Sequence, residues 1–207
     1  MTPEAIAHLS QADKTLARLI KRVGPCRLEP QTKRAPFQAL VRSVTFQQLN
    51  GKAAETILGR VLALYPARKF PSPEDLLATP DEKLRAAGLS RNKTAAVKDI
   101  AAKTIAGVVP DSRTIKKLSN EEILERLTSV RGVGPWTVEM LLMFTLGRED
   151  VFPVTDFGVR KGFMLTYGLK EMPAPKELLA HGERWRPHRT TASWYLWRAV
   201  DLENVTV

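Results

Sequence analysis

Apolar residues recur along this chain at intervals of three and four with polar residues between them, and sustained alternation of period two is found nowhere. Such spacing puts one apolar stripe on a 3.6-residue helix, so the pattern predicts an all-α fold. At the start, Thr2-Pro3-Glu4 supplies a cap and a first-turn proline, and Ile6, Leu9, Leu16, Leu19, Ile20 and Val23 keep helical register until Gly24-Pro25 stops it. Asp13 interrupts that register and admits a break into two shorter helices. Pro36 opens a segment whose Phe37, Leu40, Val41, Val44 and Leu49 share a face, with a stop expected at Asn50-Gly51. From Gly51 to Tyr65 an Ala-rich amphipathic helix follows, with Ala54, Ile57, Leu58, Val61 and Leu62 inward. Ser72-Pro73-Glu74-Asp75 and Thr79-Pro80-Asp81-Glu82 each read as a cap, a first-turn proline and acids on the positive end of the dipole, so each starts a short helix, the second ending at Gly88. A further helix runs from about Arg91 to Ala106, and Gly107 to Asp111 is a linker.

The stretch from Leu127 to Val138 organises the rest. Before it, Ser119-Asn120-Glu121-Glu122 reads as a capping box, which starts a helix reaching about Ser129. After it, Pro135 suits the first turn of a second helix. Between the two, Gly132 and Gly134 let the backbone turn tightly and approach a ligand. The amides of Val133 and Gly134 are then expected to face outward at a helix N-terminus, where an anion is favoured. Spacing alone fits an ordinary helix-helix turn as well. Val138 to Leu146 is apolar nearly all round and predicts a central, buried helix. Val151 to Val154 is expected to be extended, and Asp156 to Tyr167, Pro175 to His181 and His188 to Asp201 complete the helices.

Composition narrows the partners. The 207 residues suffice for one domain or two small lobes, and the formal net charge of +10 points to a polyanion, nucleic acid first, although a basic surface also serves solubility. Cys26 is the only cysteine, which excludes an internal disulfide and any Cys-ligated zinc or iron-sulfur site. His8, His181 and His188 lack metal-ligand spacing. No run approaches the roughly 18 apolar residues of a membrane span, and no signal-peptide h-region is seen at the N-terminus, so the expected location is the cytoplasm.

The pattern L-x-x-V-x-G-V-G-P-W-T from Leu127 to Thr137 resembles the helix-hairpin-helix motif of DNA glycosylases. In that family a catalytic Asp follows about twenty residues on, and Val151-Phe152-Pro153-Val154-Thr155-Asp156-Phe157-Gly158 places Asp156 there. The chain is therefore identified as a member of the HhH-GPD superfamily, of the 3-methyladenine DNA glycosylase II type, in a compact form with no room for an N-terminal β domain. The resemblance implies two helical lobes with a DNA-binding cleft between them, about 36–107 forming the first and 1–35 plus 108–207 the second, with the hairpin at 127–138 in the second.

It also implies roles for particular residues. Asp156 is the catalytic carboxylate, although an Asp at that place is also a plain helix cap. At a helix start the dipole favours its anion, which suits electrostatic or base work on an oxocarbenium-like state. Trp136 stands where bifunctional members carry a nucleophilic Lys, so the implied enzyme is monofunctional. Trp136, Met140, Phe157 and Trp197 are expected to line the base pocket, with Met140 where some relatives have Tyr, while Trp185 and Trp194 pack the core. Electron-rich rings favour a cationic, alkylated base.

Gln48 takes the place of the wedge that fills the gap left by a flipped nucleotide, with Leu49 beside it; the rival reading is a helix C-cap at Asn50-Gly51 with solvent-facing glutamines. DNA contacts are implied at Arg131, Gly132, Val133, Gly134 and Arg189, within a basic set that includes Arg160, Lys161, Arg184 and Arg186. No cofactor or catalytic metal is required, and a structural Na+ or K+ on the carbonyls of Thr128, Val130 and Val133 is implied when DNA is bound. The implied protein is a monomer, associated with the nucleoid by function, that flips alkylated purines from double-stranded DNA and hydrolyses their glycosidic bond. Two rivals stay open: a non-catalytic hairpin module that only binds DNA, and a bifunctional lyase acting on oxidised bases.

Overall fold

Asp13 ends one helix and begins the next. In the computed structural model, which describes residues 2–205, α1 spans Pro3–Ala12 and α2 spans Lys14–Val23. The Asp13 side chain accepts the amides of Thr15 and Leu16, both at 3.0 Å, so the interruption in the apolar register is an N-cap. The other helices are α3 (Pro36–Phe46), α4 (Gly51–Ala63), α5 (Pro73–Ala78), α6 (Asp81–Ala86), α7 (Arg91–Ile105), α8 (Asn120–Thr128), α9 (Pro135–Phe144), α10 (Phe157–Tyr167), α11 (Pro175–Gly182) and α12 (Arg189–Val205). Two single-turn 3-10 helices accompany them, and the described residues contain no strand. None of these helices is long and apolar enough to cross a membrane.

Caps explain most of the helix starts. Ser72 with Asp75 and Ser119 with Glu122 form reciprocal capping boxes, the second with bonds of 2.7 and 3.1 Å. Two expected boundaries are corrected. Asn50 does not end α3; its side chain accepts the Ala53 amide at 2.8 Å and starts α4, while α3 stops at Phe46. Thr79 does not cap α6: its hydroxyl donates back to the Asp75 carbonyl, and the helix opens after Pro80.

The chain divides into two units, Thr32–Leu141 and the described residues before and after it. In the first, α7 packs against α3 and α5, and Leu40, Val97, Ile100, Leu76 and Leu84 are wholly shielded from solvent. The division departs from the expected lobes, because the hairpin belongs with 32–141 and not with the chain ends. Gln47, just past the end of α3, and side chains on α7 reach the hairpin directly and hold it there.

In the other unit α10 crosses α12 closely. A Cβ on Gly162 would run into the backbone of Leu196, so only glycine permits the approach. Leu9, Leu16, Phe163, Trp185, Tyr195 and Leu196 form its core, with Trp194 packed partly buried against it. Asp13 is also the hub of this unit. It receives the Tyr167 hydroxyl at 2.6 Å and the Trp185 indole N–H at 3.2 Å, with His181 Nε2 3.0 Å away. Burial pushes its carboxyl upward, but the hydrogen bonds from Tyr167, the Leu16 amide, His181 and Trp185 outweigh this and hold it below the usual carboxylate value.

Candidate functional site

Asp156 sits at the mouth of α10 with φ −65° and ψ 128°. Phe152 anchors the approach by burying its ring edge-on against Trp185, where Gly182 leaves it room. Residues 151–153 carry no regular structure, and a turn at 154–155 follows. That turn delivers Asp156 to the helix start, and its Oδ1 accepts the Val159 amide at 2.7 Å. The same oxygen accepts the indole N–H of Trp197 at 2.8 Å. Cap and candidate catalyst are thus one residue.

Trp197, expected to line a base pocket, donates its N–H to this carboxylate. Its ring stacks on Phe144, with centroids 5.8 Å apart and planes at 27°. Gly158 lies against the indole; a Cβ there would stand 2.7 Å from Trp197 Cδ1. Trp197 therefore fixes where the carboxylate points. Beside it Phe157 is 65% exposed, an uncommon position for so large an apolar ring.

Trp136, Met140, Gln48, Leu49 and the hairpin belong to the 32–141 unit. Trp136 is 43% exposed on the first turn of α9, and Met140 is half-buried one turn further on. Gln48 and Leu49 are exposed on the turn after α3, and Gln48 adopts φ 57°, the left-handed region that favours glycine. Gln47, which sequence reasoning passed over, donates its side-chain amide to the Gly132 carbonyl at 2.9 Å and to the Thr137 hydroxyl at 3.3 Å.

In the hairpin, Gly132 takes φ +77° and rests on Ala96 of α7, where a Cβ would come within 2.8 Å of the alanine methyl. The Arg131 amide donates to Asp99 of α7 at 2.8 Å. The Val133 amide, expected to face an anion, turns inward to the Val130 carbonyl at 3.1 Å. The Gly134 carbonyl accepts the Val138 amide at 3.2 Å and so begins α9. A groove bounded by Asp99, Lys103 and residues 128–134 borders this helix start. The start of a helix carries the positive end of its dipole, and this one faces that groove.

Arg189 is corrected outright. Only 7% exposed, its guanidinium grips Asp150 through Nε at 2.6 Å and Nη2 at 3.0 Å, with Glu183 at 3.4 Å. It is a packing anchor and no phosphate contact. Much of the supposed basic stripe is likewise engaged: Arg186 with Asp150 and Glu183, Lys161 with Glu203, Arg160 with the Pro173 carbonyl. Arg131 stays exposed. Among the described residues no group of three or more His, Cys, Asp or Glu side chains is arranged to hold a metal ion.

Comparison with known proteins adds the decisive observation: the family model described as "HhH-GPD superfamily base excision DNA repair protein" matches residues 41–187. The chain belongs to the HhH-GPD superfamily. This HhH-GPD protein is 41% identical over 204 residues to DNA-3-methyladenine glycosylase 1 of Schizosaccharomyces pombe, covering 98% of its own chain and 90% of the relative. It is similar to the solved S. pombe 3-methyladenine DNA glycosylase (Mag1) in complex with abasic DNA, at TM-score 0.84, 41% identity and coverage of 94% and 95% of the two chains. A solved DNA-3-methyladenine glycosidase of Bacillus halodurans matches at TM-score 0.86 and 36% identity, over 99% and 92%. The matched span contains the Gln48 turn, the hairpin and Asp156 together, so the motif read from the sequence lies inside the HhH-GPD match.

Proposed function

We propose that this protein is a monofunctional DNA glycosylase that releases alkylated purines from double-stranded DNA and leaves an abasic site. The observation that carries the reading is the Asp156 carboxylate, fixed at the start of α10 by the Val159 amide and the Trp197 indole in a chain whose relatives are named 3-methyladenine DNA glycosylases. In the step proposed, the bond between the purine nitrogen and C1′ breaks, and its electron pair neutralises a base made cationic by alkylation. Positive charge spreads over C1′ and the ring oxygen, and the carboxylate stabilises it. Water then forms the new C1′–O bond, with Asp156 accepting its proton. A leaving group that departs neutral needs no acid, so one carboxylate suffices.

The start of α9 at Gly134 takes a phosphate, and exposed Arg131 adds charge beside it. Gln48 and Leu49 occupy the gap left by the extruded nucleotide, and Trp136 and Met140 offer surface to the base. Trp136 has no amine, so no covalent imine forms and the strand is not cut. A monovalent cation fits the oxygen chemistry of the hairpin, where Thr128, Val130 and Val133 border the groove that Asp99 also faces. The Val130 carbonyl, already engaged by the Val133 amide, retains a second lone pair for it. Such an ion would supply positive charge to a bridging phosphate.

The test is release of methylated base from alkylated duplex DNA by the parent and by Asp156→Asn. Release by the parent and its near-complete loss in the variant are expected. No release by either would leave only a DNA-binding module, and a borohydride-trapped protein-DNA adduct would indicate a lyase.

A further inference from the structure

The last carbonyls of a helix need partners, and many helices find them through a glycine in the left-handed region. α3 ends differently. Lys93, from the first turn of α7, sends Nζ to the Thr45 carbonyl at 2.8 Å and to the Gln47 carbonyl at 2.7 Å. Its positive charge also suits a helix C-terminus. The chain then passes through Gln48 at φ 57°, and the Leu49 amide closes the turn on the Phe46 carbonyl at 3.3 Å. Gln48 and Leu49 are left standing in solvent, Leu49 with 40% of its surface exposed.

The same helix holds the hairpin. Lys93, Ala96 and Asp99 recur at intervals of three along α7 and so share one face. Lys93 clamps the Gln48 turn, Ala96 supports Gly132, and Asp99 takes the Arg131 amide at 2.8 Å. Gln47 closes the loop by bonding the Gly132 carbonyl at 2.9 Å. Two turns far apart in sequence are thereby joined to one rigid face. Lys93 is directed inward onto carbonyls, and burial lowers its pKa from the ordinary lysine value.

We infer that Lys93 is a positioning residue for strand intrusion: it holds the Gln48-Leu49 turn in fixed register with the hairpin, so that phosphate capture and entry into the base stack are delivered by one rigid piece. This rests on the proposed reading of the Gln48 turn as a wedge, and it assigns to Lys93 a role that needs no contact with DNA.

The test uses the full chain with two duplexes, one intact and one carrying a tetrahydrofuran abasic analogue next to 2-aminopurine. Lys93→Met is expected to bind the intact duplex within about twofold of the parent, with an unchanged salt dependence. Its preference for the abasic analogue falls about tenfold, and the rise in 2-aminopurine fluorescence is lost. Lys93→Arg, which keeps a donor and the charge, restores most of both. Should Lys93→Met fail to fold, Gln47→Leu cuts the tie to Gly132 from the other side and is expected to give the same selective loss.

Equal weakening on both duplexes with a shallower salt slope would make Lys93 a phosphate contact and overturn the inference. So would full retention of abasic preference. Neither duplex asks for base release, so a parent that frees no methylated purine would defeat the proposed activity while the binding ratio still decides the role of Lys93.

Discussion

Trp197 donates its indole N–H to the carboxylate of Asp156 across 2.8 Å. Because a hydrogen bond to a charged acceptor is stronger and more directional than a neutral one, the indole sets the orientation of the carboxylate as well as its charge environment. Trp197→Phe keeps a ring for Phe144 to stack on and removes the donor. Its single-turnover rate of base release is expected to fall about 10- to 100-fold, roughly 1.4–2.7 kcal/mol of barrier, with duplex affinity unchanged. Asp156→Asn keeps a cap acceptor and loses the charge, and is expected to lose about a thousandfold or more. A Trp197→Phe enzyme as fast as the parent would remove the indole from the mechanism.

Gly158 makes the same relationship testable without substituting either partner. An added methyl would stand 2.7 Å from Trp197 Cδ1, so Gly158→Ala must push the indole away from Asp156. Alanine is otherwise welcome in a helix, so stability should change by no more than about 1–2 kcal/mol. Activity is expected to fall to the level of Trp197→Phe, and the double variant should be no slower than either single one. Additive losses in that cycle would mean that the methyl acts elsewhere.

Arg131 and Arg189 separate a DNA contact from a structural one. Arg131 is exposed beside the phosphate site proposed at the start of α9, so Arg131→Ala is expected to weaken binding to any duplex and reduce the salt slope by about one. Arg189 is buried on Asp150 and Glu183. Its removal strands a partly buried carboxylate, and Arg189→Ala is expected to cost about 3–5 kcal/mol in denaturant unfolding while the salt slope of the folded protein stays as it was. The opposite pairing of outcomes would restore Arg189 to the DNA-binding face.

These two arginines also mark where the sequence stops being legible. Helix starts at Ser72, Ser119 and Asp156 could be read because each cap acts within three residues, and the hairpin could be read because its glycines and proline punctuate one short stretch. Arg189 looked like one more basic residue because its partner Asp150 lies 39 positions away. Asn50 carried a local signal that pointed both ways, since Asn-Gly can end a helix or begin one, and its side chain on the Ala53 amide shows that it begins one. The placement of the hairpin was hidden for the same reason: Gln47 meets Gly132 across 85 residues. On α7, by contrast, Lys93, Ala96 and Asp99 recur at intervals of three, a local pattern that marks the face meeting both turns.

Asp13 gives a prediction in pH. Its carboxyl lies below the usual value when folded, burial notwithstanding, because Tyr167, the Leu16 amide, His181 and Trp185 all serve the anion. A carboxyl depressed in the folded state adds stability that is fully present above its unfolded pKa of about 4 and is lost as pH falls through the lower folded value. In Asp13→Asn the oxygen can still cap α2, but the amide nitrogen then confronts the Trp185 N–H, donor against donor. The variant is expected to be about 2–4 kcal/mol less stable at pH 7, a lowering of several degrees in Tm. Below about pH 4 the parent loses its advantage, and the two melting curves should draw together. A gap that stays constant from pH 7 to pH 3 would mean that the charge of Asp13 contributes nothing and that shape alone holds the hub.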